Sequence, residues 1–124
     1  MTLTPYLLFD GNCRQAMEFY NSCFGGQLTS TTTPDGRILN AHLESDTVDI
    51  SASDWLRADR TAVRGNTVCL YLNGGNFEDL NNTFQKLSAG AEVTDPLQQQ
   101  FFGMYGALND RFGVRWMFRT DIQQ

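Results

Sequence analysis

The sequence has 124 residues, with 14 acidic side chains against 9 basic ones and a formal net charge of -5 at pH 7. This length suits one domain with a real core, and the scattered basic residues disfavour nucleic-acid binding, which requires a concentrated positive face. Because no apolar run approaches the roughly 20 residues of a membrane span and the N-terminus lacks a signal-peptide pattern, we expect no membrane partner and a cytoplasmic location.

The first half of the chain reads as a strand, a helix and three further strands. A strand at about Leu3 to Phe9 is followed by a helix from about Cys13 to Phe24, whose apolar residues recur at helical spacing. Asn12 is placed to cap this helix, and Gln15 stands three residues later, as in a capping box. Three short strands are predicted next, at about residues 27–33, 38–44 and 47–53.

The second half repeats this order after a connection at about residues 55–66. A strand at about Val68 to Leu72 ends at a glycine-rich turn, and Asn76 is placed to cap a helix that ends at Gly90. The remaining strands are predicted near residues 91–94, 100–108 and 114–119, with Asp95-Pro96 as a break between the first two.

A shift of 64 residues aligns the two halves. It places Asp10-Gly11-Asn12 on Gly74-Gly75-Asn76 and Tyr20 on Phe84, so that turn, cap and core positions coincide. Such an internal repeat predicts two βαβββ modules, at about residues 1–54 and 67–121, each too small to bury its own sheet. The fold class is therefore α+β, with tandem modules in a single domain.

Two segments carry a family resemblance: PYLLFDGNCRQAMEFYNSCFGG near the N-terminus and PLQQQFFGMYGALNDRFGVRWMF near the C-terminus. Together with the repeated module they resemble the PhnB-like branch of the vicinal oxygen chelate superfamily, which also holds glyoxalase I, bleomycin-resistance proteins and extradiol dioxygenases. The resemblance implies curved mixed sheets, a homodimer, and a cup-like hollow as the ligand site.

Metal-using relatives in this superfamily hold a divalent ion with four ligands, mostly His and Glu. The resemblance places those positions at Pro5, at Ile50 or Ser51, at Thr67 and at Met117. None is a competent ligand for a hard divalent ion, because these side chains offer no donor, a weak hydroxyl or a soft thioether. We therefore expect no metal and no cofactor.

His42 is the only histidine, and it shares one face of a predicted strand with Glu44. Such a pair is a candidate general base with an orienting carboxylate, although a hydrogen-bonded polar face is the simpler interpretation. Cys13, at the first turn of the first helix, is a candidate nucleophile, or else a small residue that fits between helix and sheet. The three cysteines show no paired CxxC spacing and are expected to be reduced thiols.

Aromatic residues are concentrated in the last two predicted strands, and apolar pockets with a few placed polar groups are typical of small-molecule sites. The candidate ligand-binding residues are Ser51, Thr67, Tyr71, Phe101, Tyr105, Trp116 and Met117.

Three functional hypotheses follow from these patterns. The first is a cytoplasmic homodimer that binds an unidentified small molecule in an aromatic-lined cup without a metal. The second is a lyase or isomerase, or a resistance protein, with a displaced site around His42 and Glu44. The third is a dimerisation scaffold whose cup is filled by its own side chains.

Overall fold

The computed structural model describes residues 1–56 and 61–121, which divide into two compact units, the first ending at Val63 and the second beginning at Arg64. Unit 1 contains β1 (Tyr6–Phe9), α1 (Cys13–Phe24), β2 (Gln27–Thr32), β3 (Ile38–Glu44) and β4 (Asp49–Asp54). Unit 2 contains β5 (Leu70–Asn73), α2 (Phe77–Leu87), β6 (Glu92–Gln100), β7 (Gly103–Asn109) and β8 (Arg115–Asp121). Part of the predicted connection, residues 57–60, lies outside the described residues.

Each unit is a four-stranded mixed sheet with one helix on one face. The strand orders are β1-β4-β3-β2 and β5-β8-β7-β6, and in each sheet one edge strand runs parallel to its neighbour while the other pairs are antiparallel. The predicted α+β class and the two βαβββ modules are confirmed. Among the residues that the structure describes, no helix is long and apolar enough to cross a bilayer.

The core of each unit lies between its helix and its sheet. In unit 1, α1 buries Ala16, Met17 and Tyr20 on the side that faces Leu43 and Ile50 of the sheet, all at 2% exposure or less. In unit 2, α2 buries Leu80, Phe84 and Leu87, and the Phe84 ring packs edge-on against Phe118 of β8, with centroids 5.0 Å apart. In both units the apolar residues that were predicted at helical spacing pack on alternate residues of the strands.

The start of α1 is held by a buried carboxylate from another strand. Asn12 was expected to cap this helix, but its side chain makes no capping hydrogen bond because its backbone (φ -112°, ψ 21°) lacks the extended cap conformation. Asp54, at the end of β4 and only 3% exposed, accepts from the N–H groups of Gly11 (2.9 Å) and Cys13 (3.0 Å), and its second oxygen accepts from Ile38 N–H (2.8 Å). One side chain therefore ties three elements together.

The second helix is capped as predicted. Asn76 has an extended backbone, and its side-chain oxygen accepts from the N–H of Asp79 at 2.8 Å. Glu78 and Asp79 lie in the first turn, where negative charge is favourable for the helix dipole.

Several strand boundaries differ from the prediction. β1 begins at Tyr6 rather than Leu3, and β5 begins at Leu70 rather than Val68. β6 continues through Pro96, where a break was predicted, because it is an edge strand whose register shifts between Asp95 and Gln98 and so tolerates a residue without an N–H. As a result, Phe101 and the residue after it lie in the turn between β6 and β7 rather than in a strand.

Candidate functional site

Each sheet has one face against its helix and a second face, called here the distal face, that carries most of the candidate residues. Since side chains alternate along a strand, burial of Ile50 and Ala52 against α1 places their neighbours in β4 on the other side. The strand registers extend this assignment across the sheet. The distal face of unit 1 includes Tyr6, Leu8, Gln27, Thr29, Thr31, Asn40, His42, Glu44, Asp49, Ser51 and Ser53.

His42 contacts a carboxylate on this face, but not the predicted one. Its Nε2 lies 2.5 Å from Oδ1 of Asp49, while Glu44 occupies the position across the ladder from Asp49. The side chains of His42 and Asp49 are 37% and 54% exposed, so the contact is solvent-accessible and of modest energetic value. This geometry matches the simpler interpretation, a polar sheet face, and does not favour a base built from His42 and Glu44.

The distal face of unit 2 carries aromatic rings and two arginines, with acidic residues near the arginines, whereas the distal face of unit 1 is mostly polar. Tyr71 of β5 lies across from Met117 of β8, and Tyr105 of β7 lies across from Arg119. The tyrosine at position 71 is 48% exposed. By the strand registers this distal face includes Tyr71, Asn73, Tyr105, Ala107, Asn109, Arg115, Met117 and Arg119, together with Asp121 at the end of β8 and Glu92, Asp95 and Gln98 of the edge strand β6.

At one end of this face, three rings and a guanidinium form what we call the hairpin cluster: Phe101, Phe102, Tyr105 and Arg119. The ring of Phe102 meets those of Phe101 and Tyr105 edge to face, at centroid distances of 5.1 and 6.3 Å. The guanidinium carbon of Arg119 lies 4.6 Å from the centroid of the Phe102 ring, within the range of a cation–π contact. The cluster thus joins the β6–β7 turn to β8.

Trp116 does not share this face. It neighbours Met117 in β8 and therefore points to the opposite side, where it is 1% exposed in the core of unit 2. Its indole N–H donates to Oδ2 of Asp110 at 2.8 Å, and Oδ1 of that aspartate accepts from the N–H groups of Phe112 and Val114. The structure therefore assigns Trp116 to packing and to support of the β7–β8 turn.

The remaining candidates fall into separate groups. His42, Glu44 and Ser51 share the distal face of unit 1, whereas Tyr71, Tyr105 and Met117 share that of unit 2. Phe101 stands at the turn, 92% exposed, and Thr67 is exposed before β5 begins. Unit 1 has a shallow depression of about 620 Å³, and Glu44 is the one candidate residue that lines it. The other lining residues are Phe24, Gly26, Gln27, Ser45, Asp46 and Thr47.

The positions implied for a metal do not suit one. The carbonyl of Pro5 already accepts from the N–H of Ser51 at 3.0 Å, and Ile50 is turned toward α1. What remains is the hydroxyls of Ser51 and Thr67 and the thioether of Met117, which are weak or soft donors for hard divalent ions. Within residues 1–56 and 61–121, no group of three or more His, Cys, Asp or Glu side chains is placed to hold a metal ion.

The surroundings of Cys13 do not suit a nucleophile. The residue is fully buried, and desolvation, reinforced by the nearby Asp54 carboxylate, raises the pKa of its thiol to about 12. At neutral pH the thiol therefore stays protonated, and the thiolate that attacks electrophiles is not populated. Cys13 acts as a small core residue at the start of α1.

The candidate site residues predicted from the sequence include neither Arg119 nor Asp49. The link from His42 to Asp49 depends on the register of the β3–β4 hairpin, which the short segment 45–48 sets. The link from Arg119 to Phe102 depends on the extended β6–β7 hairpin, which the prediction had broken at Pro96. Pairing the residues of β3 and β4 outward from the turn between them would have placed His42 close to Asp49.

Comparison with known proteins places this fold in a family. The Glyoxalase/Bleomycin resistance protein/Dioxygenase superfamily model matches residues 2–118. Protein YjdN of Escherichia coli K12 is 27% identical, with 100% of this chain and 98% of the relative covered. The crystal structure of PA1353 from Pseudomonas aeruginosa is 28% identical, with a TM-score of 0.87 and 98% of each chain covered.

A PhnB protein structure from Bacillus cereus is 23% identical, with a TM-score of 0.78 over 97% of this chain and 99% of that chain, and it supports the fold. These relatives are consistent with the PhnB-like branch that the sequence resembles. The chain belongs to the Glyoxalase/Bleomycin resistance protein/Dioxygenase superfamily.

Proposed function

We propose that this protein binds a small organic molecule on the distal faces of its sheets and does so without a metal ion. The observation that carries the proposal is the composition of the distal face of unit 2, where Tyr71, Tyr105 and Met117 offer two rings and a thioether beside a guanidinium. Apolar surface with a few placed polar groups is the usual make-up of a small-molecule site.

The distal face of unit 1 is a separate and mostly polar candidate surface for this proposal. Thr29, His42 and Ser51 lie in one row across three strands, with Asp49 in contact with the imidazole. Hydroxyl, imidazole and carboxylate groups supply hydrogen-bond donors and acceptors. Such groups fix the orientation of a ligand, whereas burial of apolar area supplies most of its affinity. We do not extend this to catalysis, because the imidazole is engaged by Asp49 and lacks the contact with Glu44 that the enzyme hypothesis requires.

The metal-free part rests on donor chemistry. Superfamily members that use a divalent ion need hard nitrogen or oxygen ligands, and the corresponding residues here are Pro5, Ser51, Thr67 and Met117. A homodimer in the cytoplasm completes the proposal. The two buried free thiols, Cys13 and Cys23, suit a reducing compartment, and the oligomeric state is open to light scattering on the purified protein.

A screen of small aromatic and polar compounds by thermal shift, followed by calorimetric titration of the compounds that bind, tests this function. Tyr71→Ser is expected to weaken the binding of aromatic compounds by about tenfold, since it removes a ring contact and its apolar area. The matched control is Phe77→Ser, which removes a ring of similar exposure (39%) from the start of α2.

The control substitution is expected to leave the affinities within about twofold of the unmodified protein. A screen without a binder, or binding that depends on Phe77 and not on Tyr71, would contradict the proposed function.

A further inference from the structure

The distal face of unit 2 carries two arginines in very different states. Arg115 donates from one nitrogen to Thr94 Oγ1 (2.9 Å) and Asn109 Oδ1 (3.2 Å), and its other terminal nitrogen lies 3.6 Å from Asp95 Oδ2. Its donors are used within the sheet, and its side chain is only 21% exposed. Arg115 is therefore part of the fold of the β6–β7–β8 surface.

Arg119, four residues along the same strand, is not engaged in this way. Across the part of the chain that the structure describes, its guanidinium has one carboxylate neighbour, Asp121 Oδ1 at 3.9 Å, which is beyond hydrogen-bond length. The side chain is 41% exposed and rests on the Phe102 ring. A guanidinium has five N–H donors in one plane, and stacking on a ring does not use them.

The groups around this guanidinium define the shape of what it would bind. Tyr105 lies directly across the ladder from Arg119, and Phe101 and Tyr105 both meet Phe102 edge to face. The Phe102 and Tyr105 side chains are only partly buried, which leaves aromatic surface for a flat partner, and stacking adds to the burial of apolar area. A carboxylate matches the forked donors of a guanidinium in a bidentate pair.

From these observations we infer that the hairpin cluster is a binding site for a small aromatic carboxylate, with the acid group on Arg119 and the ring against Phe102 and Tyr105. The inference rests on the proposed function and assigns a ligand class to one of its faces. The chain has a net negative charge, which repels an anionic ligand. The preference for a carboxylate must therefore come from Arg119 itself and not from the charge of the whole protein.

The test uses naphthalene-2-carboxylate as the probe and its neutral amide, naphthalene-2-carboxamide, as the matched ligand, each titrated calorimetrically into the full chain. The carboxylate is expected to bind the unmodified protein about tenfold more tightly than the amide. Arg119→Gln is expected to bring the two affinities within about twofold of each other. Arg119→Lys keeps the charge without the fork and is expected to retain part of the preference.

Phe102→Leu is expected to weaken both probes, because it removes the ring that supports the ligand and the guanidinium. Arg37→Gln removes one positive charge from the β2–β3 turn of unit 1, and it is expected to leave the carboxylate preference unchanged. Unchanged far-UV circular dichroism and thermal midpoints of the variants establish that they fold.

Equal affinity of the two probes for the unmodified protein, or a preference that survives Arg119→Gln, would overturn the inference. So would an Arg119→Gln variant that alters the mass of the assembly in solution and not the affinity, since the cluster would then serve contacts between copies. If neither probe binds while other compounds bind in a Tyr71-dependent way, the inference is wrong and the proposed function stands. If no compound binds at all, both are wrong.

Discussion

Replacing Asp54 with alanine is expected to lower the free energy of unfolding of unit 1 by about 4 kcal/mol, which is near the upper end for a single substitution. The carboxylate is buried, and its loss leaves the buried N–H groups of Cys13 and Ile38 and the partly buried N–H of Gly11 without their acceptor. Urea unfolding monitored by circular dichroism measures the loss.

Two variants sharpen this result. Asp54→Asn keeps one side-chain oxygen but presents an amide nitrogen to at least one of the three N–H donors, so its cost is expected to lie between zero and that of Asp54→Ala. Asp46→Ala removes an exposed carboxylate from the β3–β4 turn and is expected to change stability by less than about 0.5 kcal/mol. Equal effects of the alanine substitutions at 54 and 46 would show that Asp54 is not the anchor of α1.

Trp116→Ala is expected to destabilise unit 2 by about 4 kcal/mol, because it empties a large buried volume and removes the indole donor from Asp110. The milder Trp116→Phe is expected to cost about 2 kcal/mol, mostly through loss of the indole hydrogen bond to Asp110. Neither effect requires a ligand. Chemical unfolding of the two variants without added compounds measures both.

The matched control for this pair is Phe101→Ala, which removes an aromatic ring that is 92% exposed at the β6–β7 turn. It is expected to change stability by less than about 0.5 kcal/mol. If instead Trp116→Phe left stability intact and weakened ligand binding, then Trp116 would line the site as the sequence suggested, and the assignment of the two faces of β8 would be wrong.

The helices and strands of this fold were predictable because the cap and turn residues of each module agree with the spacing of its apolar residues. Asn76 before a helical stripe predicts α2, and the turn at Pro34-Asp35-Gly36 predicts the hairpin of β2 and β3. The anchor of α1 was not predictable in this way. Asp54 lies more than 40 positions from the amides of Gly11 and Cys13, and only the parallel pairing of β1 with β4 brings it to them.

The candidate site was predictable in part for a similar reason. Alternation in β4 separates Ser51 from Ile50 correctly, because burial of one residue determines the direction of the next. The prediction named both Trp116 and Met117, although adjacent residues of a strand point to opposite faces and only one can reach a ligand. Which of the two does so depends on the position of α2 against β8, which no local pattern of β8 reveals.

The hairpin cluster was not predicted, because Asp95-Pro96 was expected to end a strand. Treating Asp95-Pro96 as a break moved Phe101 into a strand and separated the phenylalanines from Arg119. In the structure the register shifts of β6 absorb the proline, the hairpin extends to Gln100, and Phe102 reaches the guanidinium from the turn.

The most direct test of metal-free binding on the distal faces is a titration of the strongest compound from the screen in the presence of excess EDTA and again in the presence of saturating Ni²⁺. We predict affinities that agree within about twofold, because the implied metal positions offer only weak hydroxyl donors and a soft thioether. Binding that EDTA abolishes and Ni²⁺ restores would contradict this account of the site.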